Sequence, residues 1–167
     1  TDASLATLVG TRWDLSDGRE VILASASSAT TVAAGKLYQD PAQITAHQNM
    51  PVTAYQAYSA NGNVPAKVTA TLGSTAVTAN QYAGGLLIVN DNNGEGQSLR
   101  VASHPAADSV ASVVITLEEG GTVAITTASE VSLIPAHGKN VIISPTSVTG
   151  AAVGVSLYAI AASSYGY

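Results

Sequence analysis

The stretch Leu86-Leu87-Ile88-Val89-Asn90-Asp91-Asn92-Asn93-Gly94-Glu95-Gly96-Gln97-Ser98-Leu99-Arg100-Val101-Ala102 decides the fold. It opens on a continuous apolar run, which predicts a central strand buried on both faces. The polar Asn- and Gly-bearing loop that follows supplies positive φ angles for a chain reversal. The alternating run Gln97–Ala102 then predicts the return strand of a hairpin. Outward from it, Ala66–Leu72 alternates and ends at Gly73-Ser74, and Val52–Tyr58 alternates up to the turn Asn61-Gly62-Asn63. A second hairpin is expected from Ser112–Glu118 and Thr122–Thr127 around Gly120-Gly121. Later strands are expected over Val131–Ile134, Val141–Ser144 and Val153–Ala161, and earlier ones over Arg19–Ala26 and Thr30–Gln39. His104-Pro105-Ala106-Ala107-Asp108 reads as a loop.

The composition agrees with strands. The 167 residues include 29 Ala, 18 Val, 12 Leu and 9 Ile, but no Phe. Ala, Ser and Thr account for 64 positions, and β-branched residues crowd every segment. The expected fold is all-β: a compact antiparallel barrel or sandwich over residues 49–167. Residues 1–48 are less regular and are expected to form an extended N-terminal arm or hairpin.

Charge excludes several functions. Lys and Arg number 6 and Asp and Glu 11, so only 10% of the chain is charged, against about 25% in ordinary domains. Six dispersed basic residues form no footprint for nucleic acid or for an anionic membrane. The longest apolar candidate, Ala151–Ala162, is too short for a spanning helix and contains Gly154 and Ser156. Absence of Cys removes disulfides and thiolate chemistry. So lean a charge suits a subunit whose surface is covered by neighbours, and a large uncharged apolar area is expected on the isolated chain.

Chemistry is sparse. The three His residues, His47, His104 and His137, match no helical metal spacing, and no nucleophile elbow or phosphate loop exists. Glu118 and Glu119 are adjacent and point to opposite faces of a strand. No catalytic residue and no cofactor is assigned. The oxygen-rich loop carrying Asp91, Asn93 and Glu95 is a weak metal candidate. It departs from the EF-hand pattern, because Gly94 comes too early and Ala102 stands where a Glu is needed. Trp13, Tyr38, Tyr55, Tyr58, Tyr165 and Tyr167 are the candidate interface residues, since Tyr is enriched at subunit contacts. The start at Thr1-Asp2 without Met fits loss of an initiator Met before a small residue, or a processed or partial chain. The apolar end Ser156–Tyr167 is expected to dock on its own domain or a neighbour, or to continue beyond Tyr167.

Several segments resemble structural proteins of tailed bacteriophages. They are Ala33–Gln39, Ala46–Met50, Thr78–Asp91, the Gly94-Glu95-Gly96 turn, Ser103–Ala107 and the final Tyr165-Gly166-Tyr167. The resemblance implies a non-enzymatic virion protein, most like a capsid decoration (cement) protein on the capsid surface. It implies the major capsid protein as partner and a homo-oligomer, a trimer for preference, with no nucleic-acid or membrane partner. The alternative is a glycan- or host-surface-binding module such as a head fibre, tail fibre or adhesin domain.

Overall fold

The computed structural model describes residues 9–29, 31–60 and 63–167. The chain divides into two compact units, Ile44–Pro135 and a discontinuous one built from Thr1–Gln43 and Ala136–Tyr167. Both are β structures, as expected. The expected division at residue 48 differs from this one. Before Ile44, Arg12–Asp14 and Glu20–Ile22 form a hairpin, one of the two expected forms, whereas Ala24–Ser25 and Leu37–Gln39 are hydrogen-bonded to strands in the last thirty residues of the chain.

The discontinuous unit opens with the hairpin of β1 (Arg12–Asp14) and β2 (Glu20–Ile22), followed by β3 (Ala24–Ser25) and β4 (Leu37–Gln39). The turn at Ser16-Asp17-Gly18 closes the β1–β2 hairpin, with Trp13 opposite Val21.

The second unit holds β5 (Met50–Gln56), β6 (Lys67–Thr71), β7 (Leu86–Val89), β8 (Ser98–Ser103), β9 (Ser112–Leu117) and β10 (Glu130–Ile134). These six strands close an antiparallel barrel in the order β5-β6-β9-β8-β7-β10, with β10 returning to β5. Register shifts at Val52/Ala54 and Val101/Ser103 bend the strands where the barrel must curve. Alternate residues fill the interior: Val68 and Ala70, Leu87 and Val89, Leu99 and Val101, Val113, Ile115 and Leu117, Val131 and Leu133. A six-stranded barrel has a narrow interior, and aliphatic side chains mixed with Ala fill it without any Phe.

Two expectations about the barrel need correction. The run Leu86–Val89 is not buried on both faces. Leu87 and Val89 point inward, whereas Leu86 lies at the outer face, 37% exposed. A closed barrel has only one dry side, so a continuous apolar run here places half its side chains outside. The second expected hairpin also fails. β9 is real, but Thr122–Thr127 forms no strand, and β10 pairs with β5 and β7. The side chain of Gln97 occupies the place of a strand partner. Its Oε1 accepts from the Val123 N–H at 3.1 Å and from the Thr122 hydroxyl at 3.3 Å, and its Nε2 donates to the Val123 and Gly94 carbonyls. Gly94, at φ +88°, sits so close that an added Cβ would lie 2.5 Å from that Nε2. Gln97→Ala is expected to cost about 1–2 kcal/mol. It should also raise hydrogen exchange in residues 119–128 well above that of the strands. Unchanged exchange there would refute this role for Gln97.

The chain then returns to the discontinuous unit as β11 (Ile142–Ile143), β12 (Ala152–Val155) and β13 (Tyr165–Gly166). β4 lies between β11 and β12, and β13 pairs with β3. Ala24, Ala26, Val32, Tyr38, Val141 and Ile160 form this unit's own core. Buried Gln39 stitches the sheet to its loops, donating to the Thr149 hydroxyl and accepting from Ser144. Asp40 binds the His137 Nδ1 at 2.7 Å and the Gly138 N–H at 2.8 Å. Close packing requires Gly150, where any Cβ would collide with the Asp40 carbonyl oxygen.

Candidate functional site

The titratable groups are mostly structural. In the barrel unit His47 and His104 are both buried. His47 Nε2 faces the Thr75 carbonyl at 3.0 Å, so that nitrogen carries the proton, and Nδ1 accepts from the Tyr82 hydroxyl at 2.7 Å. His104 Nε2 accepts the Tyr82 N–H at 3.0 Å, which leaves its Nδ1 to donate to the Pro105 carbonyl. Tyr82 thus stands between two imidazole rings, with ring centroids 5.5 and 5.9 Å away. Burial pushes its phenol up to about 12, and Gln81 draws it back only in part. The cluster pins the 74–85 loop to the barrel.

The metal candidate dissolves into turn geometry. Asn92 and Gly94 adopt positive φ. The Asp91 Oδ1 accepts the Glu130 N–H at 2.7 Å, Asn92 donates to the Ala128 carbonyl, and the Asn93 carbonyl accepts the Ser129 hydroxyl. The Asp91 Oδ1 and the Asn93 carbonyl oxygen are thereby turned toward protein donors. Among the described residues no group of three or more His, Cys, Asp or Glu could hold a metal ion. Glu118 instead pairs with Arg100 across the β8–β9 hairpin, with 3.3 Å between Nε and Oε2.

The six aromatic candidates separate. Tyr38 is 3% exposed, a core residue whose hydroxyl faces the backbone of Ala33. Tyr55 is half-buried and packs on the barrel core, while Tyr58 is 49% exposed. In the discontinuous unit Tyr165 lies in β13, half-buried, and Tyr167 meets Trp13 edge to face at 5.3 Å. Of the apolar end, Tyr165 and Tyr167 therefore pack on their own unit, while Leu157 and Tyr158 stay exposed. An edge-to-face pair presents no flat platform of the kind that stacks on a sugar ring.

A groove within the discontinuous unit holds about 510 Å³. Its floor is apolar, formed by Ala24, Val32, Tyr38, Val141 and Ile160. Its walls are Glu20–Ile22 of β2 and the consecutive residues Ala152–Leu157 of β12 and its extension. Odd and even residues of β12 alike line it, so the groove follows the edge of that strand and not one of its faces. At the rim Arg12 pairs with Glu20 and Arg19 with Asp17. The Arg19 guanidinium holds the Asp17 carboxyl below its ordinary range, and Asp17 raises Arg19 in return. None of the rim charges was singled out in the sequence, nor were Val153, Val155 and Leu157. Their one visible signal is the lack of charge around them.

Exposed apolar side chains occur in both units, Tyr58, Val110, Val114 and Val123 on the barrel unit and others on the discontinuous one. Among the described residues the latter include Trp13, Leu37, Ile143, Val155, Leu157 and Tyr158. None of the described helices is long and apolar enough to cross a membrane. No family model, curated protein or solved structure matches the chain.

Proposed function

We propose that this chain is a non-enzymatic virion structural protein of a tailed bacteriophage that decorates and stabilises the capsid by repeated subunit contacts. The observation that carries the reading is the combination of 10% charge with exposed Val155, Leu157, Tyr158, Leu37 and Ile143 in one unit. Exposed apolar side chains on so lightly charged a chain support a role in contacts with other subunits. A closed barrel gives each copy a rigid body, and the second unit offers strand edges for contact with neighbours. The buried imidazoles and the Asp91 loop are satisfied by structural bonds, which supports a binding role over a catalytic one.

The test is quantitative mass spectrometry of particles of the phage that encodes the chain. Hundreds of copies per virion are expected, together with binding of the purified protein to expanded capsids. A dozen copies or fewer, or no affinity for capsids, would overturn the reading in favour of a fibre or another role.

A further inference from the structure

β12 is the weak point of the discontinuous unit. The outer side of β11 is shielded by the segment around Ala26, which bridges to Val141, with Ser27 donating to the Val141 carbonyl at 3.3 Å. β12 is the other edge of that sheet, and no strand pairs with its outer side among the described residues. The barrel is closed and has no edges to offer. Natural edges are guarded by Lys, Pro, inward charge or bulges. β12 has only the bulge between Ala152 and Gly154, and its residues Ala152-Val153-Gly154-Val155 carry neither charge nor Pro. Beyond Lys139 the remaining 28 residues contain no charged side chain.

The groove beside this edge restricts what can fill it. Its only charges are neutralised within the β1–β2 hairpin, so an incoming charged strand would lose water without gaining a partner. An uncharged strand with small and β-branched residues fits, and the chain carries one in β12 itself.

We infer that β12 is a self-association edge: it pairs antiparallel with β12 of a second copy, joining two three-stranded sheets into one. The partner's β12 runs along the groove, and Val155 and Leu157 of both copies, 56% and 46% exposed alone, lie in the contact. The contact is twofold, so it builds dimers or even-numbered assemblies, not the trimer that the phage resemblance implies. The inference rests on the reading of the chain as a self-associating subunit, but not on a place in the virion. A protein that dimerises through β12 and is missing from particles would sink the proposed function and leave this edge standing.

Sedimentation velocity of the full chain at about 10–100 µM is the primary test. The wild type is expected to be a dimer or a higher even-numbered species. The double variant Val155→Lys/Leu157→Lys should bind its partner at least tenfold more weakly with an unchanged far-UV spectrum. The barrel-surface control Val110→Lys/Val123→Lys should behave as wild type. Because the chain has no Cys, disulfide capture gives a second readout independent of the lysine variants' folding. Val155→Cys should form a covalent dimer under mild oxidation far faster than Val110→Cys. A monomeric wild type, a trimer indifferent to the lysine pair, or equal capture rates for the two cysteine variants would each overturn the inference.

Discussion

Leu87→Ala is expected to destabilise the barrel by about 2–5 kcal/mol. Leu87 is fully buried and stands between its cross-strand neighbours Leu133 on β10 and Leu99 on β8. Those strands belong to a closed ring, so they cannot move inward to fill the space without opening a seam elsewhere. The cost therefore combines lost transfer energy with a persistent cavity. For a unit of this size that is a melting-temperature fall on the order of 10–20 °C. Leu86→Ala and Ile88→Ala, one position to either side, remove outward-facing side chains and should each cost under about 1 kcal/mol. Thermal unfolding by circular dichroism distinguishes the three. Equal losses would mean that the run is buried on both sides and that the barrel is open.

The same contrast shows what the sequence could and could not convey. Alternation is a local signal, and it located β6, β8 and β9 within a residue or two because one face of each is dry. The hairpin through Asn92, Gly94 and Gly96 was equally legible, because positive φ at those positions demands Asn or Gly. Run length alone does not separate a strand inside a sandwich from one in a barrel wall, so Leu86 and Ile88 were placed wrongly. Closure depends on β10 finding β5 some eighty residues earlier in the chain, and nothing in either strand encodes that choice. The alternative hairpin through Gly120-Gly121 had the right turn residues. It lost because one Gln side chain satisfied the backbone that a strand would have served.

The interface reading fared likewise. Aromatic type was the available signal, and it brought in Tyr38, which sits in the core. Two of the aromatic candidates, Tyr38 and Tyr167, do line the groove, but Val153, Val155 and Leu157 on the strand beside it are aliphatic. What distinguishes them is their position on an edge, which emerges only once β4 is seen to pair with both β11 and β12. Trp13 and Tyr167, far apart in sequence, meet because the last strand β13 returns to β3.

Tyr82→Phe is expected to cost about 1–3 kcal/mol near neutral pH, since it leaves the His47 Nδ1 a buried acceptor without its donor. Its pH dependence is the sharper signature. The Tyr82 phenol is raised from about 10 to about 12 by burial, so the folded state favours the protonated phenol. A group raised in this way contributes stability that is complete below the unfolded value, near pH 10. That contribution is lost as pH climbs toward 12, because the unfolded chain ionises first. Two units correspond to about 2–3 kcal/mol lost over that window. The Phe variant lacks this ionisation. Denaturant unfolding of both proteins from pH 8 to pH 12 should therefore show a constant gap below pH 10 that narrows steadily above it. Other Tyr and Lys residues titrate in both proteins and cancel in the difference. Parallel curves up to pH 12 would mean that the phenol ionises as freely in the folded barrel as in water, and that the 74–85 loop does not seal it.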